Sequence, residues 1–450
     1  LATFIFGMGD DYTIFMLEGS IYEYTYGRRM LGRYRNTIAL SAATMFIGIG
    51  SLIVAKHPAM RGLAEVTIVG MAVVVAMAYT IPPLIFNFLT RVKGVKRRFP
   101  VTLASIARTF AVYLYCAVTG LVLVAAGFVT ITLLRGGERA RRHYLRLFKG
   151  IMYFPSVRFF GNKCVYADRY GEDFSVPAVV ICNHQSRLDI MLAMALSDRF
   201  SIVMNKWNSR VFGVFAGYAG HIPVSDIYEG GMKKVSEALS AGRSILIFPE
   251  GTRSQDCSIG RFHKGAFEIA GRFGLDIVEM LVHGTGNCLP KGVSFVESFP
   301  MRCEIVRRIP NAMIPSRKDL RRIMSEDYKD LCRISETVSY CKKEVLARFR
   351  YMEKSVRLAA RKALAECSDG TIGALRGKAD GGILVINEEG YGAFSLLAAL
   401  VLKDLEIHSQ VRCREHYEVA VNCASIPKNL HFADVSGLAD VPLSTIPEVQ

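Results

Sequence analysis

His184 and Asp189 stand five positions apart in Asn183-His184-Gln185-Ser186-Arg187-Leu188-Asp189. On one regular helix five steps would turn them about 140° away from each other. They can meet only if His184 sits in a loop and Asp189 in the first turn of the helix that follows. An Asp bonded to one imidazole nitrogen fixes the tautomer and leaves the other nitrogen as a general base. Ser186-x-x-Asp189 also reads as a capping-box-like helix start, which alone accounts for the carboxylate. A second block, Phe248-Pro249-Glu250-Gly251-Thr252-Arg253-Ser254, offers a Gly for an unusual backbone turn and an Arg whose planar fork suits phosphate. Its plainer reading is a Pro-Glu-Gly turn with a solvated Arg.

Both blocks need strand ends to carry them. VPAVVIC (176–182), RSILIFP (243–249) and DIVEMLVHG (276–284) read as buried strands. DIMLAMAL (189–196) and the stretch from Gly231 to Ala241 read as helices. The alternation over residues 150–310 predicts an α/β domain.

Together NHxxxxD and FPEGTRS resemble the glycerophospholipid acyltransferase family of the 1-acylglycerol-3-phosphate type. The resemblance extends over about residues 105–310 and takes in Lys206 of VMNKW and the RFHKGAF run from Arg261 to Phe267. It implies transfer of a fatty acyl group from acyl-CoA or acyl carrier protein to a hydroxyl of a glycerolipid or related lysolipid. His184 would be the base and Asp189 would orient it, with direct attack on the thioester. Glu250, Gly251, Thr252 and Arg253 would hold the acceptor, Arg253 on its phosphate, and Ser254 would serve the turn. No further cofactor is implied. Two positions depart from the family. GHIPVSD (220–226) ends in Asp226 where a basic residue is usual, which points to an uncharged or amine-bearing acceptor. VEMLVHGT (278–285) has Glu279 in place of a Pro. His221, His263 and His283 show no ligand spacing and are expected to be structural or solvent-facing, with no metal site.

The chain has 450 residues, a formal charge of +16 and a hydrophobic share of 51%. That apolar content excludes disorder. Its concentration before about residue 135 argues against a nucleic-acid partner and for a membrane. The eleven Cys form no CxxC pair, so neither a zinc module nor a disulfide framework is expected. Thr37 to Ala55 and Leu63 to Leu89 read as two spans, the second kinked at Pro82-Pro83. Arg28, Arg29, Arg33 and Arg35 precede them, and Arg91, Lys93, Lys96, Arg97 and Arg98 follow. The positive-inside bias puts both flanks in the cytosol, so the expected location is the inner (cytoplasmic) membrane, multi-pass, with the acyltransferase domain facing the cytosol. Phe110 to Leu134 reads as a re-entrant hairpin broken at Thr119-Gly120. Asp10 and Asp11 lie within an apolar run and suggest a proton relay, the alternative being a helix end at the water interface. Residues 1–90 resemble the last spans of a resistance–nodulation–division exporter, near its mycobacterial membrane protein large branch. That resemblance implies a partner in the remainder of such a chain, N-terminal to Leu1.

Residues 311–376 read as charged helices followed by a Gly-rich linker, SDGTIGALRGKADGG. Residues 377–450 give strand, Gly turn, helix and strand in GILVINEEGYGAFSLLAALVL and EIHSQV. This resembles the start of a class I S-adenosylmethionine-dependent methyltransferase, a partial Rossmann-like α/β segment. Gly390 and Gly392 would be its cofactor loop. Asn387 and Arg412 stand where acids are usual, so S-adenosylmethionine is not expected to bind. The full expectation is an exporter-like segment (1–90), a basic linker with a membrane hairpin (91–149), an acyltransferase domain (150–310), then the charged region and the partial segment. The competing expectation is a lipid exporter in which the acyltransferase fold only binds lipid.

Overall fold

A computed structural model describes residues 2–158, 164–204, 210–224 and 232–438. Lys206 and Asp226 lie outside them. The chain divides into an outer unit of 1–101 with 336–450 and an inner unit of 102–335.

The outer unit opens with α1 (Ala2–Tyr26), α2 (Leu31–Gly50) and α3 (Pro58–Thr90). Tyr12, Met16, Ile38, Met71 and Ala78 form their shared core. Glycine allows the close approach of α1 and α3: a Cβ on Gly9 would come within 2.9 Å of Val74, and one on Gly70 within 2.9 Å of Ile5. The outward faces stay apolar, with Leu40, Ile47, Val69 and Leu84 exposed. Leu31–Val54 and Pro58–Thr90 are long and apolar enough to cross a membrane. The connection between them is shorter than the sequence suggests, because Pro58 starts α3 at a position that needs no N–H and the His57 ring accepts from Ala59 N. Pro82 and Pro83 lie inside α3. A two-residue turn at Lys93-Gly94, both with positive φ, then joins β1 (Arg91–Val92) to β2 (Val95–Lys96).

The inner unit begins with α4 (Leu103–Gly127), started by a Thr102/Ser105 capping box. The break expected at Thr119-Gly120 is corrected here: α4 is one continuous helix, and Thr119 Oγ1 donates to the Tyr115 carbonyl within it. A single glycine costs a helix only about 1 kcal/mol, too little to interrupt a long apolar run. One face of α4 is fastened to the domain. Tyr115 Oη donates to the Ile151 carbonyl, and Val296 N donates to Thr109 Oγ1. The opposite face leaves Leu103, Phe110, Leu114 and Leu121 bare.

After α5 (Glu138–Arg158) come seven strands: β3 (Cys164–Asp168), β4 (Val179–Cys182), β5 (Phe200–Met204), β6 (Ile222–Pro223), β7 (Ser244–Ile247), β8 (Ile277–His283) and β9 (Met301–Ile309). Their order is β3-β9-β8-β4-β7-β5-β6. Only the β8–β9 pair is antiparallel. Between the strands lie α6 (Leu188–Leu196), α7 (Arg210–Ala219), α8 (Lys233–Ser240), α9 (Gly265–Phe273) and α10 (Thr285–Cys288), with α11 (Arg317–Ser335) last. Val179, Ile245, Ile277 and Leu281 of the sheet pack against Val235, Ile269, Leu320 and Met324 of α8, α9 and α11. The strand and helix segments expected from the sequence over 176–284 are present, so the α/β domain stands.

The chain returns to the outer unit as α12 (Val338–Arg348), α13 (Lys354–Ala365) and α14 (Asp369–Arg376). The expected linker is therefore partly a helix. Ser368 and Thr371 form a capping box at its start and Ile372 is buried, which offsets its two glycines. Then follow β10 (Ile383–Glu388), α15 (Ala393–Val401), β11 (Glu406–Val411), α16 (Arg414–Val421) and β12 (Leu430–Asp434) in a parallel three-stranded sheet. This segment is bound to the ends of α1 and α3. Asn422 Nδ2 donates to the Tyr24 and Thr25 carbonyls, and Lys96 Nζ donates to the carbonyls of Tyr24 and Asn422. Tyr26 Oη donates to Glu353 and Glu415. Glu344 is buried and accepts from both Arg98 and Arg348.

Candidate active site

β4 ends at Cys182 and delivers Asn183, whose side chain behaves like a stretch of strand: Nδ2 donates to the Val282 carbonyl and Oδ1 accepts from Val282 N. The next residue, His184, places Nδ1 2.9 Å from Oδ2 of Asp189, which lies in the first turn of α6. Asp189 is fully buried. Its Oδ2 also accepts from the backbone N–H of Gln185 at 2.7 Å and of Ser186 at 2.8 Å. One carboxylate thus folds the loop and holds the ring; the expected Ser186 capping box does not form, since the N-cap of α6 is Arg187 without a side-chain bond and the Ser186 hydroxyl donates to the Leu289 carbonyl. Oδ1 accepts from Thr285 Oγ1 at 2.6 Å. The Asp189 carboxylate thus contacts Nδ1 of His184 and three further donors, and Nε2 is the ring nitrogen left outside this set.

The His184 ring stacks on Phe248 with centroids 4.3 Å apart. It lines a cavity of about 410 Å³ whose other walls include Ile190, Ile202, Met204, Ile247 and Ala266. The cavity falls in the size range of small-molecule sites and is mostly apolar.

The second block closes over the dyad from the end of β7. His184 N donates to Glu250 Oε1 at 2.9 Å, and Gly260 N donates to Glu250 Oε2 at 2.8 Å. Ser254 N donates to the His184 carbonyl at 2.7 Å. Glu250 is buried; that burial raises its carboxyl pKa, against the two N–H donors that lower it. Gly251 has φ +65°, and a Cβ there would meet His263 at 3.0 Å. Thr252 is exposed and Arg253 half-buried. Partial burial, then the neighbouring Arg187, lower the Arg253 pKa. Lys291, which no motif marked, donates to Thr252 Oγ1 at 3.0 Å and to the Arg253 carbonyl at 2.9 Å.

Of the other histidines, His221 is buried beside Phe148 and Phe215, and burial pushes its pKa down to about 3. His283 is buried against Tyr328. His263 is exposed and lines the cavity with His184. Glu279 sits in the middle of β8, paired with Arg307 at 3.1 Å, and does not line the cavity.

Asp10 and Asp11 fall in the middle of α1 and are exposed, whereas the adjacent Tyr12 enters the helical core. At the Gly390-Tyr391-Gly392 turn, the buried Glu388 takes the donors that an anionic ligand would use. Its Oε1 accepts from Gly390 N and its Oε2 from Ser395 N and Oγ. A Cβ on Gly392 would come within 2.8 Å of Ala420, so packing within the segment suffices to require that glycine.

Residues 161–282 match the family model described as Acyltransferase. The chain is 33% identical over 122 residues to a 1-acyl-sn-glycerol-3-phosphate acyltransferase of Chlamydomonas reinhardtii, covering 26% of this chain and 37% of that one. A chloroplastic enzyme of the same name from Arabidopsis thaliana is 34% identical over 122 residues, covering 26% and 34%. One from Brassica napus is 28% identical over 191 residues, covering 40% and 54%. The chain thus spans between a third and about half of the length of these relatives. The crystal structure of the 1-acyl-sn-glycerophosphate acyltransferase of Thermotoga maritima is similar with a TM-score of 0.41 at 21% identity, covering 51% of this chain and 95% of that one. The family match and the relatives mark the middle of the chain as an acyltransferase domain.

Proposed function

We propose that the protein is a membrane-bound acyltransferase that moves a fatty acyl group from a thioester, acyl-CoA or acyl carrier protein, to a hydroxyl of a glycerolipid or lysolipid. The observation that carries this reading is the His184–Asp189 pair opening into a largely apolar cavity. His184 Nε2 takes the proton of the acceptor hydroxyl as its oxygen attacks the thioester carbonyl. The new C–O bond forms, the C–S bond breaks, and the imidazolium returns the proton to the leaving sulfur. Ile190, Ile202, Met204 and Ile247 suit an acyl chain. Arg253, Arg187 and Lys291 suit an anionic group on the acceptor. That favours a phosphate-bearing lysolipid over the uncharged or amine-bearing acceptor that Asp226 suggested.

The apolar outward faces of α2, α3 and α4 support a membrane location; the basic flanks, together with α4 fastened along the domain rather than leading away from it, support the cytosolic side of the inner membrane for the domain. In this reading residues 1–90 are the closing helices of an exporter-like assembly. The segment from β10 to β12 is structural, because Glu388 already fills its glycine turn, and the reaction draws on no cofactor besides the acyl donor. A lipid-binding module would need no buried Asp bonded behind a cavity-facing His, so catalysis is the preferred reading.

The test uses membranes holding the full chain, radiolabelled acyl-CoA or acyl carrier protein in separate arms, and lysophosphatidic acid. His184→Ala should abolish acylated product. Product formation undiminished in His184→Ala would overturn the reading.

A further inference from the structure

Asp189 has a second oxygen, and the family motifs leave it unaddressed. Oδ1 accepts from Thr285 Oγ1 at 2.6 Å, and Thr285 is fully buried. The chain makes two forced moves to put that hydroxyl there. Gly284 leaves β8 with φ +84°, where a Cβ would lie 2.0 Å from the Pro300 carbonyl oxygen, so only glycine permits the turn. Gly286 presses against the loop that carries His184: a Cβ there would lie 2.4 Å from Cys257 Sγ and 3.3 Å from Gln185 Cβ. Ser186 Oγ donates to the Leu289 carbonyl at 2.9 Å and completes the seam. The Gly284-Thr285-Gly286 turn and the His184 loop are therefore built against each other.

From this geometry we infer that Thr285 is a positioning residue for acyl transfer, acting through Asp189 on His184. The hydroxyl pins Oδ1, which leaves Oδ2 as the face presented to the imidazole. It also supplies the fourth donor to a fully buried carboxylate, so part of any charge there is offset by a neutral group. Removing it leaves the Asp189 carboxylate with one donor fewer, so the imidazole faces a less neutralised and freer partner. The charged and titratable groups facing this pair are Glu250, Arg253, Cys182 and Cys303, with His263 across the cavity.

The inference rests on the acyltransferase reading, and the test separates the two. In membranes with the full chain, kcat and KM are measured from pH 5 to 9 for the unaltered protein, His184→Ala, Thr285→Val and Thr285→Ser. Thr285→Val keeps the volume and loses the hydroxyl; it should lower kcat by about tenfold with KM for both substrates held within about twofold. The acid limb of its pH–rate profile should move to higher pH by about half a unit. Thr285→Ser restores the hydroxyl and should recover both. Thr285→Val with unaltered kcat and acid limb overturns the inference alone. So does a loss that Thr285→Ser shares with no movement of the acid limb, since that describes packing. No His184-dependent product from the unaltered protein overturns the underlying reading instead.

Discussion

The backbone N–H of His184 and the carboxylate of Glu250 are joined by a 2.9 Å hydrogen bond, and the other oxygen of Glu250 takes the N–H of Gly260. The acid of the second block thus grips the His184 loop itself. A buried carboxylate with both oxygens committed to the backbone fixes where His184 stands relative to the turn that ends in Arg253.

Glu250→Gln offers one acceptor where two are needed and turns an N–H toward another N–H. The expected cost is about 1–3 kcal/mol of stability, with a fall in kcat and little change in KM for the acceptor. Steady-state kinetics check this. A variant whose whole defect lies in acceptor KM would return Glu250 to direct contact with the acceptor.

Glu279 is buried in β8, and burial, reinforced by Asp327 and opposed by Arg307, pushes its carboxyl up to about 8. Between the ordinary carboxylate value and about 8 the folded chain holds a proton there that the unfolded chain has released. Stability contributed by this group is fully present below the ordinary value and is lost as pH rises toward 8, by up to about 1.4 kcal/mol per pH unit. Chemical denaturation in detergent at pH 6 and pH 8 should show that decline, and Glu279→Gln should remove it. A pH-independent stability in the unaltered protein would sink the assignment.

Glu344 is shared by Arg98 and Arg348 within the outer unit. Burial alone would raise its carboxyl; the two guanidiniums outweigh that and hold it below the usual carboxylate range. Its contribution is present above the ordinary value and is lost as pH falls through the lowered one. Glu344→Gln removes the counter-charge of Arg348, which is 1% exposed and keeps only the Ser425 carbonyl as a fixed acceptor, and should cost about 3–5 kcal/mol. Hydrogen exchange should report it as lost protection in α12 and in Arg91–Lys96. Unchanged protection there would count against the ion-pair account.

The dyad and the Glu250–Arg253 turn were legible because each sits at a strand end, where a buried apolar run stops and a polar block begins. The dyad's geometry follows from local sequence: five residues span a loop and one helical turn. Thr285 and Lys291 were not legible, since each reaches the site from a segment whose own pattern is unremarkable and whose partner lies far away in sequence. Gly120 and the glycines within 368–382 misled for the opposite reason. Local glycine content is a weak signal, and side-chain packing on α4 and the Ser368 cap on α14 override it. Nor does hydrophobic periodicity register Tyr26 meeting Glu353 and Glu415.

The outer unit is assembled from two stretches of chain separated by the whole of Thr102–Ser335. Pro100 and Arg350 nevertheless touch within it, so contacts far apart in sequence close the outer unit. During synthesis the inner unit is complete before the second half of the outer unit exists. The inner unit's core can therefore form while the end of α1 still waits for Asn422 and Arg98 for Glu344.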